Sequence, residues 1–176
     1  MIEVIFLGRG GQGAFTSSRI LGIAVSLYEK KYGLSFPSFG PERRGAPVFA
    51  YTKISDTPIR DRSQSIYADY FVVLDESLYS AALLGRLKKS GKLILNTSHQ
   101  EKYEDERIVT FDGATLANKY LGKPIVNTAM LAVIVYYSNL VSNTNLKKAI
   151  AYDLPPKVAI KNQELIEHLE TINLAK

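Results

Sequence analysis

The sequence predicts a single α/β domain over residues 1–176, in which a mainly parallel sheet is flanked by helices. Three observations predict it. Apolar runs of strand length alternate with helix-length segments along the chain. A glycine-rich turn stands between the first apolar run and the first helical pattern. No repeat, linker or low-complexity stretch divides the 176 residues, of which 46% are hydrophobic and 22% charged. A chain of this size buries roughly 70% of its unfolded surface as one domain.

Ile2–Leu7 reads as the first strand. Ala14–Lys31 follows as a helix, because Phe15, Ile20, Leu21, Ile23, Ala24, Leu27 and Tyr28 recur at helical period and the pattern ends before Gly33. Val48–Ile54 and Tyr70–Leu74 carry the β-branched and aromatic content of strands. Leu78–Lys89 reads as a helix stopped at Ser90-Gly91, and Lys92–Asn96 as a buried strand. Arg107–Phe111 is a further short strand, and Ala114–Tyr120 a short helix closed by Gly122. Val126–Leu140 carries two signals: Val133–Tyr137 alone looks like a strand, whereas Thr128–Leu131 and the total length point to a buried helix, the reading adopted here. Asn145–Ala151 is helical and Pro155-Pro156 breaks the pattern. Lys157–Leu169 forms a last amphipathic helix with Val158, Ile160, Leu165, Ile166 and Leu169 as its apolar positions.

Composition narrows the chemistry. With no cysteine, the chain holds no disulfide, thiolate zinc site, cysteine nucleophile or cysteine-ligated iron–sulfur cluster. With only two histidines, His99 in an expected loop and His168 on the polar side of the last helix, no metal site is expected. The longest strongly apolar stretch, Ala129–Tyr137, falls short of the about 18 residues a bilayer-spanning helix needs. The N-terminus enters the first strand without a basic region or cleavage site. A cytoplasmic protein without membrane contact is the expectation. The net charge is +5, but its basic residues come as scattered pairs such as Lys30-Lys31 and Arg43-Arg44. That pattern suits a small polyanion better than nucleic acid.

Gly8-Arg9-Gly10-Gly11-Gln12-Gly13 fits G-x-G-x-x-G, the glycine pattern of Rossmann-like turns. Glycine allows positive φ and lets a ligand approach the backbone, while the following helix offers unpaired N–H groups and its positive dipole end to a phosphate. The alternative is a tight turn without a ligand. A dinucleotide site would also need an acid about 20 residues on. Leu34–Gly40 has none, and Glu42 is followed at once by Arg43-Arg44. NAD is therefore disfavoured, and an NADP-binding oxidoreductase or a stand-alone nucleotide-binding module remains the competing reading. In Ser38–Pro47, paired guanidinium groups beside turn residues either clamp a phosphate or carboxylate or sit solvated on the surface. Asp75 and Glu76 mark a strand end and helix start rather than an acid–base pair. Phe36, Phe39 and Pro41 have no clear place in one core and suggest an apolar face for partner chains.

Four segments together carry a resemblance: Gly8–Gly13, Phe36–Pro47 (F-P-S-F-G-P-E-R-R-G-A-P), Ile54–Arg60 (I-S-D-T-P-I-R) and Tyr70–Leu78 (Y-F-V-V-L-D-E-S-L). In order and spacing they resemble the gamma subunit of 2-oxoacid:ferredoxin oxidoreductases. Asn127-Thr128-Ala129-Met130 resembles that family's late helix start, and Leu154–Lys157 with the helix after it resembles its C-terminal docking element. The resemblance implies an oxidoreductase subunit without a complete catalytic site of its own. Alpha, beta and delta-type subunits would hold thiamine diphosphate, Mg and the iron–sulfur clusters, and electrons would leave through the complex to ferredoxin. This chain would help bind coenzyme A. Gly40–Pro47 looks more like pyruvate or branched-chain enzymes than 2-oxoglutarate enzymes, and pyruvate is favoured. The positions carried over are Gly10, Gly11, Gln12 and Gly13 as the anion-facing turn, with Ser38 and Arg44 from the second loop. Asn96, at a strand end, and Asn127, at a helix start, are either donors to the ligand or merely a turn pin and a cap. No catalytic residue is assigned.

Overall fold

The structure, a computed structural model, describes residues 1–38 and 45–171. Six strands form one sheet in the order β2-β3-β1-β4-β5-β6: β1 (Ile2–Arg9), β2 (Tyr32–Pro37), β3 (Pro47–Ser55), β4 (Ala68–Val73), β5 (Leu87–Asn96) and β6 (Ile108–Phe111). β1 is parallel to β4, β4 to β5 and β5 to β6, while β3 runs antiparallel to both β1 and β2. The sheet is thus mainly parallel with one reversed strand. Because β3 is reversed, β2 ends and β3 begins at the carboxyl ends of the parallel strands, and β3 starts beside the end of β1.

Among the described residues, five α-helices pack on one face: α1 (Ala14–Ile23), α2 (Gly113–Leu121), α3 (Asn127–Ser138), α4 (Asn143–Asp153) and α5 (Pro156–Thr171). That face contributes Val4, Phe6, Ala50, Ile54, Val72 and Ile94 to the larger core, and α3 lies in its middle with Asn127–Val135 all buried. Continuous burial explains why α3 shows no amphipathic signal and carries strand-like residues. Asn162 on α5 is buried with its Oδ1 lacking a hydrogen-bond partner.

The second face has no α-helix among the described residues. Ile5, Leu7, Tyr51, Phe71, Val73, Leu93 and Leu95 are covered by Leu78, Tyr79, Leu83, Leu84 and Tyr103. These come from short 3₁₀ segments, Glu76–Leu78 and Ala81–Arg86, and from the loop before β6. The helix expected over Leu78–Lys89 is therefore corrected. Leu87 pairs with Ala68, so its backbone belongs to β5, and Ser90-Gly91 lies at a register shift rather than a helix stop. A Cβ on Gly91 would stand 2.8 Å from the Ala68 carbonyl oxygen, so the irregularity requires glycine.

The segment from β3 to β4 straps the second face. Lys53 is fully buried there, its Nζ 2.6 Å from Asp61 Oδ2 and 3.8 Å from Glu3 Oε1. Lys88 joins Glu3 and Asp69 at 3.0 and 2.7 Å, and Ser65 donates to Glu3 at 2.7 Å. Arg86 lies over the Phe49 and Phe71 rings and donates to the Ser65 and Ile66 carbonyls. Ile66 and Tyr67 stand 69% and 54% exposed on the strap.

Two helical stripes also differ from expectation. α1 continues into a π-helical turn, Ala24–Tyr28, which advances fewer degrees per residue than an α-helix, and Leu27 ends 54% exposed. On α5 the buried positions are Ala159, Asn162, Leu165, Ile166 and Leu169, while Val158 and Ile160 face outward at 45% and 55% exposure. α1 meets β2 and β3 through hydroxyls instead: Ser18 donates to the Tyr51 carbonyl at 2.7 Å, and Ser35 and Thr52 donate to the Ser18 carbonyl at 2.8 and 3.0 Å. Gly22 allows this approach, since a Cβ there would run into the Ser35 hydroxyl. Gly22→Ala should cost about 1–3 kcal/mol in urea unfolding, and adding Ser35→Ala should recover part of that loss.

Candidate functional site

From β1 the chain turns through α1 to β2 on one side, while β4, β5 and β6 lie on the other. At such a divergence a crevice opens beyond the carboxyl ends of the strands. The glycine-rich turn sits there. Gly10 N–H donates to the Ala46 carbonyl at 2.8 Å, and Gln12 N–H closes the turn on the Arg9 carbonyl at 2.9 Å. Gly11 and Gly13 take positive φ of 94° and 82°. Gly13 is the N-cap of α1 and has no side chain to cap it, among the described residues no other side chain does so, and the first turn holds no acid. Its leading N–H groups and positive dipole end therefore remain available to an anion.

Among the described residues, two clefts open at the turn. One, of about 270 Å³, is lined by Arg9, Gly10, Gly11, Gly13, Ala14, Phe15, Thr16 and Val48. The other, of about 350 Å³, is lined by Gln12 and the ends of β4 and β5, including Asp75, Glu76, Asn96 and Thr97, and by Asp112 and Val126. Its three carboxylates make it a poor host for a phosphate, so the electrostatics favour the first cleft for that group.

The expected site residues separate into groups. Gly11 points at open space: a Cβ there meets nothing within 4 Å. Gly13 is tightly backed, because a Cβ would lie 2.5 Å from Asn127 Nδ2. Asn127 is 8% exposed; its Oδ1 accepts from Thr128 N–H at 2.9 Å, and its carbonyl accepts from Ser17 Oγ at 3.0 Å. It is the first residue of α3 rather than its cap, which is Val126, and its amide NH₂ stands against the glycine-rich turn. Gln12 is a brace, with Oε1 accepting from Arg9 N–H at 2.7 Å and Nε2 donating to Asp75 Oδ2 at 2.9 Å. Asn96 pins a turn: its Nδ2 donates to the Leu74 carbonyl at 3.0 Å, and its Oδ1 accepts from Gly113 N–H at 2.9 Å. Ser38 follows β2, its N–H bonded to the Phe49 carbonyl at 2.8 Å. Arg44 lies outside the described residues, as do Arg43, Phe39 and Pro41. Of the flanks of their loop, Gly45-Ala46 is bonded to the turn through Gly10 and Arg9, while Ser38 is held by Phe49 of β3.

Sequence reasoning passed over Arg9 and treated Asp75 only as a strand end. Arg9 Nε lies 3.2 Å from Asp75 Oδ2, Nη1 donates to the Gly45 carbonyl at 3.0 Å and Nη2 to Ser77 Oγ at 2.8 Å. Leu7 pairs with Val73, so the register carries Arg9 and Asp75 opposite each other two residues on. Burial works against the Asp75 carboxylate, but the Ser77 hydroxyl and N–H, the Gln12 amide and Arg9 together hold it below its ordinary value. Burial likewise opposes ionisation of Glu76, which the His99 ring and Tyr103 hydroxyl nevertheless hold low. Burial and the Glu76 carboxylate push the Tyr103 phenol up to about 12. Among the described residues no group of three or more His, Asp or Glu is arranged to hold a metal ion, and no helix is long and apolar enough to cross a membrane.

Gly13→Ala, which combines a positive φ with the Asn127 clash, should destabilise the chain by at least about 1 kcal/mol more than Gly11→Ala in chemical denaturation. A carboxylate held low contributes stability in full above its unfolded value and loses it as the pH falls through the folded one. Wild type should therefore lose more stability than Asp75→Asn as the pH drops below about 4, read by thermal unfolding across a pH series.

Residues 3–168 match the family described as pyruvate ferredoxin/flavodoxin oxidoreductase. Pyruvate synthase subunit PorC of Methanothermobacter marburgensis is 46% identical over 165 residues, 93% of each chain. The common subunit gamma of the pyruvate/ketoisovalerate oxidoreductases of Pyrococcus furiosus is 40% identical, over 99% of this chain and all of that one. The crystal structure of pyruvate oxidoreductase subunit PORC from Thermotoga maritima superposes with a TM-score of 0.80 at 29% identity, covering 95% of this chain and 93% of that one. A 2-oxoglutarate:ferredoxin oxidoreductase from Magnetococcus marinus shares the fold alone, with a TM-score of 0.77 at 15% identity over 99% of this chain and 32% of that one. The chain belongs to the pyruvate ferredoxin/flavodoxin oxidoreductase family, as a gamma-type subunit of a pyruvate/ketoisovalerate:ferredoxin oxidoreductase.

Proposed function

We propose that this subunit helps hold coenzyme A in a cytoplasmic, thiamine diphosphate-dependent enzyme that oxidatively decarboxylates a 2-oxoacid, with pyruvate as the substrate. The uncapped amino end of α1 behind the positive-φ glycines carries the reading. Coenzyme A presents a diphosphate and a ribose 3′-phosphate, and this end supplies backbone N–H groups, a dipole of the right sign and, at Gly11, room for the ligand. The Asn127 amide lies next to the same turn. Ser38 and Arg44 belong to the loop anchored beside it and are proposed as further contacts. Gln12 and Asn96 shape the site through their internal hydrogen bonds.

The decarboxylation chemistry belongs to thiamine diphosphate, Mg and iron–sulfur clusters on alpha, beta and delta-type partners, which pass electrons to ferredoxin while the acyl group goes to coenzyme A. This chain binds and orients the phosphate end of that acceptor. The lightly covered second face, with Ile66 and Tyr67 exposed on its strap, supports an assembly role.

The chain should copurify with thiamine-dependent partners from its native cells, and recovery solely as a monomer would count against the reading. Asp tolerates positive φ better than most residues. Gly11→Asp therefore places a carboxylate at an open position of the anion site. It should raise the apparent KM for coenzyme A in the assembled complex, with no calorimetric NADPH binding in wild type or variant. Saturable NADPH binding by the chain would favour a nicotinamide site instead. Arg44→Ala should raise the same KM roughly ten- to hundredfold, the loss of one charge-assisted hydrogen bond.

A further inference from the structure

Arg9 lines the cleft favoured for the phosphate, yet its guanidinium is already engaged. It meets Asp75 at 3.2 Å, the Gly45 carbonyl at 3.0 Å and Ser77 Oγ at 2.8 Å. A closed ring of contacts results. Arg9 N–H donates to Gln12 Oε1, Gln12 Nε2 donates to Asp75 Oδ2, and Arg9 Nε reaches that same oxygen. The ring fixes the turn from within, while the contact to Gly45 and the bond from Gly10 N–H to Ala46 tie the foot of β3 to it. We infer that Arg9 is a positioning residue, which with Gln12 and Asp75 sets the shape of the anion-binding turn without contacting the anion itself.

The physical case rests on geometry and charge. A planar guanidinium with fixed N–H vectors can serve a carboxylate, a carbonyl and a hydroxyl at once, whereas a lysine ammonium is a flexible point charge. Asp75 cancels the charge of Arg9 in place, so a phosphate gains little attraction from it. A turn that offers backbone N–H groups works only when they already point at the ligand, and a small misplacement is costly. Side-chain exposure of 38% for Arg9 leaves the ring accessible to substitution without opening the core.

This inference rests on coenzyme A being the ligand, so Gly11→Asp serves as the reference. In the assembled complex, Arg9→Lys, Arg9→Ala and Gln12→Leu should each raise the KM for coenzyme A roughly tenfold, with a smaller fall in kcat. Gln12→Leu changes no charge, and it keeps the test open where Arg9→Ala prevents assembly. The double variant Arg9→Ala with Gln12→Leu should cost little more than either single one, because both break one ring. Near-wild-type KM for Arg9→Lys alongside a large loss for Arg9→Ala would overturn the inference and make Arg9 a phosphate contact. So would an unchanged KM in Gln12→Leu. If Gly11→Asp also leaves the KM unchanged, the coenzyme A reading itself fails.

Discussion

Strand β1 is held against β3 from Ile2↔Ile54 to Arg9↔Pro47, and against β4 from Val4↔Tyr70 to Leu7↔Val73. Both faces of β1 are buried, so a slip of one residue would exchange Val4 and Phe6 for Ile5 and Leu7 between the two cores. The register is therefore rigidly specified, and three features follow from it. The glycine-rich turn leaves the sheet at the same level as the foot of β3. Arg9 arrives opposite Asp75. Strand β2 ends and β3 begins at that same edge of the sheet, because β3 alone runs backward. A site assembled from separate stretches of chain thus depends on the register of one strand against its two neighbours.

The two faces divide labour unequally. The helical face buries a continuous apolar core in which α3 is enclosed by α1, α2, α4, α5 and the sheet. The second face is closed by 3₁₀ segments, a strap and a few aromatic rings, including Phe36 stacked on Tyr51 at 5.3 Å. Short elements nonetheless suffice, because the residues of this second core are almost fully enclosed by them.

Much of this was legible in the residues. The glycine pattern between a strand and a helix, the apolar strands and the stop signals at Gly122 and Pro155-Pro156 all report local chemistry, and α2, α3, α4 and α5 lie close to where it places them. Features that depend on distant pairing were not legible. Leu78–Lys89 has helical composition, yet Leu87 is taken up by a ladder to Ala68. Leu27 leaves the buried stripe because a π-helical turn shifts the phase. Val158 and Ile160 belong to a helix whose inward line runs through Asn162 instead. In the site, the glycines announce themselves by composition, whereas Arg9 and Asp75 acquire meaning only once the β1–β4 register is known. The internal bonds of Gln12 and Asn96 are equally invisible in one dimension, since 63 residues separate Gln12 from Asp75 and 22 separate Asn96 from Leu74.

Lys53 gives the strap an additional meaning. A fully enclosed ammonium ion is strongly unfavourable without counter-charge, and its nearest carboxylate, Asp61, comes from the strap rather than from the sheet. Detaching the strap strips Lys53 of that partner and opens the sheet beneath it to water. Docking of the strap and sealing of the second face are consequently one cooperative event. The β3–β4 connection, although irregular in backbone, is thereby expected to open together with the strands it crosses.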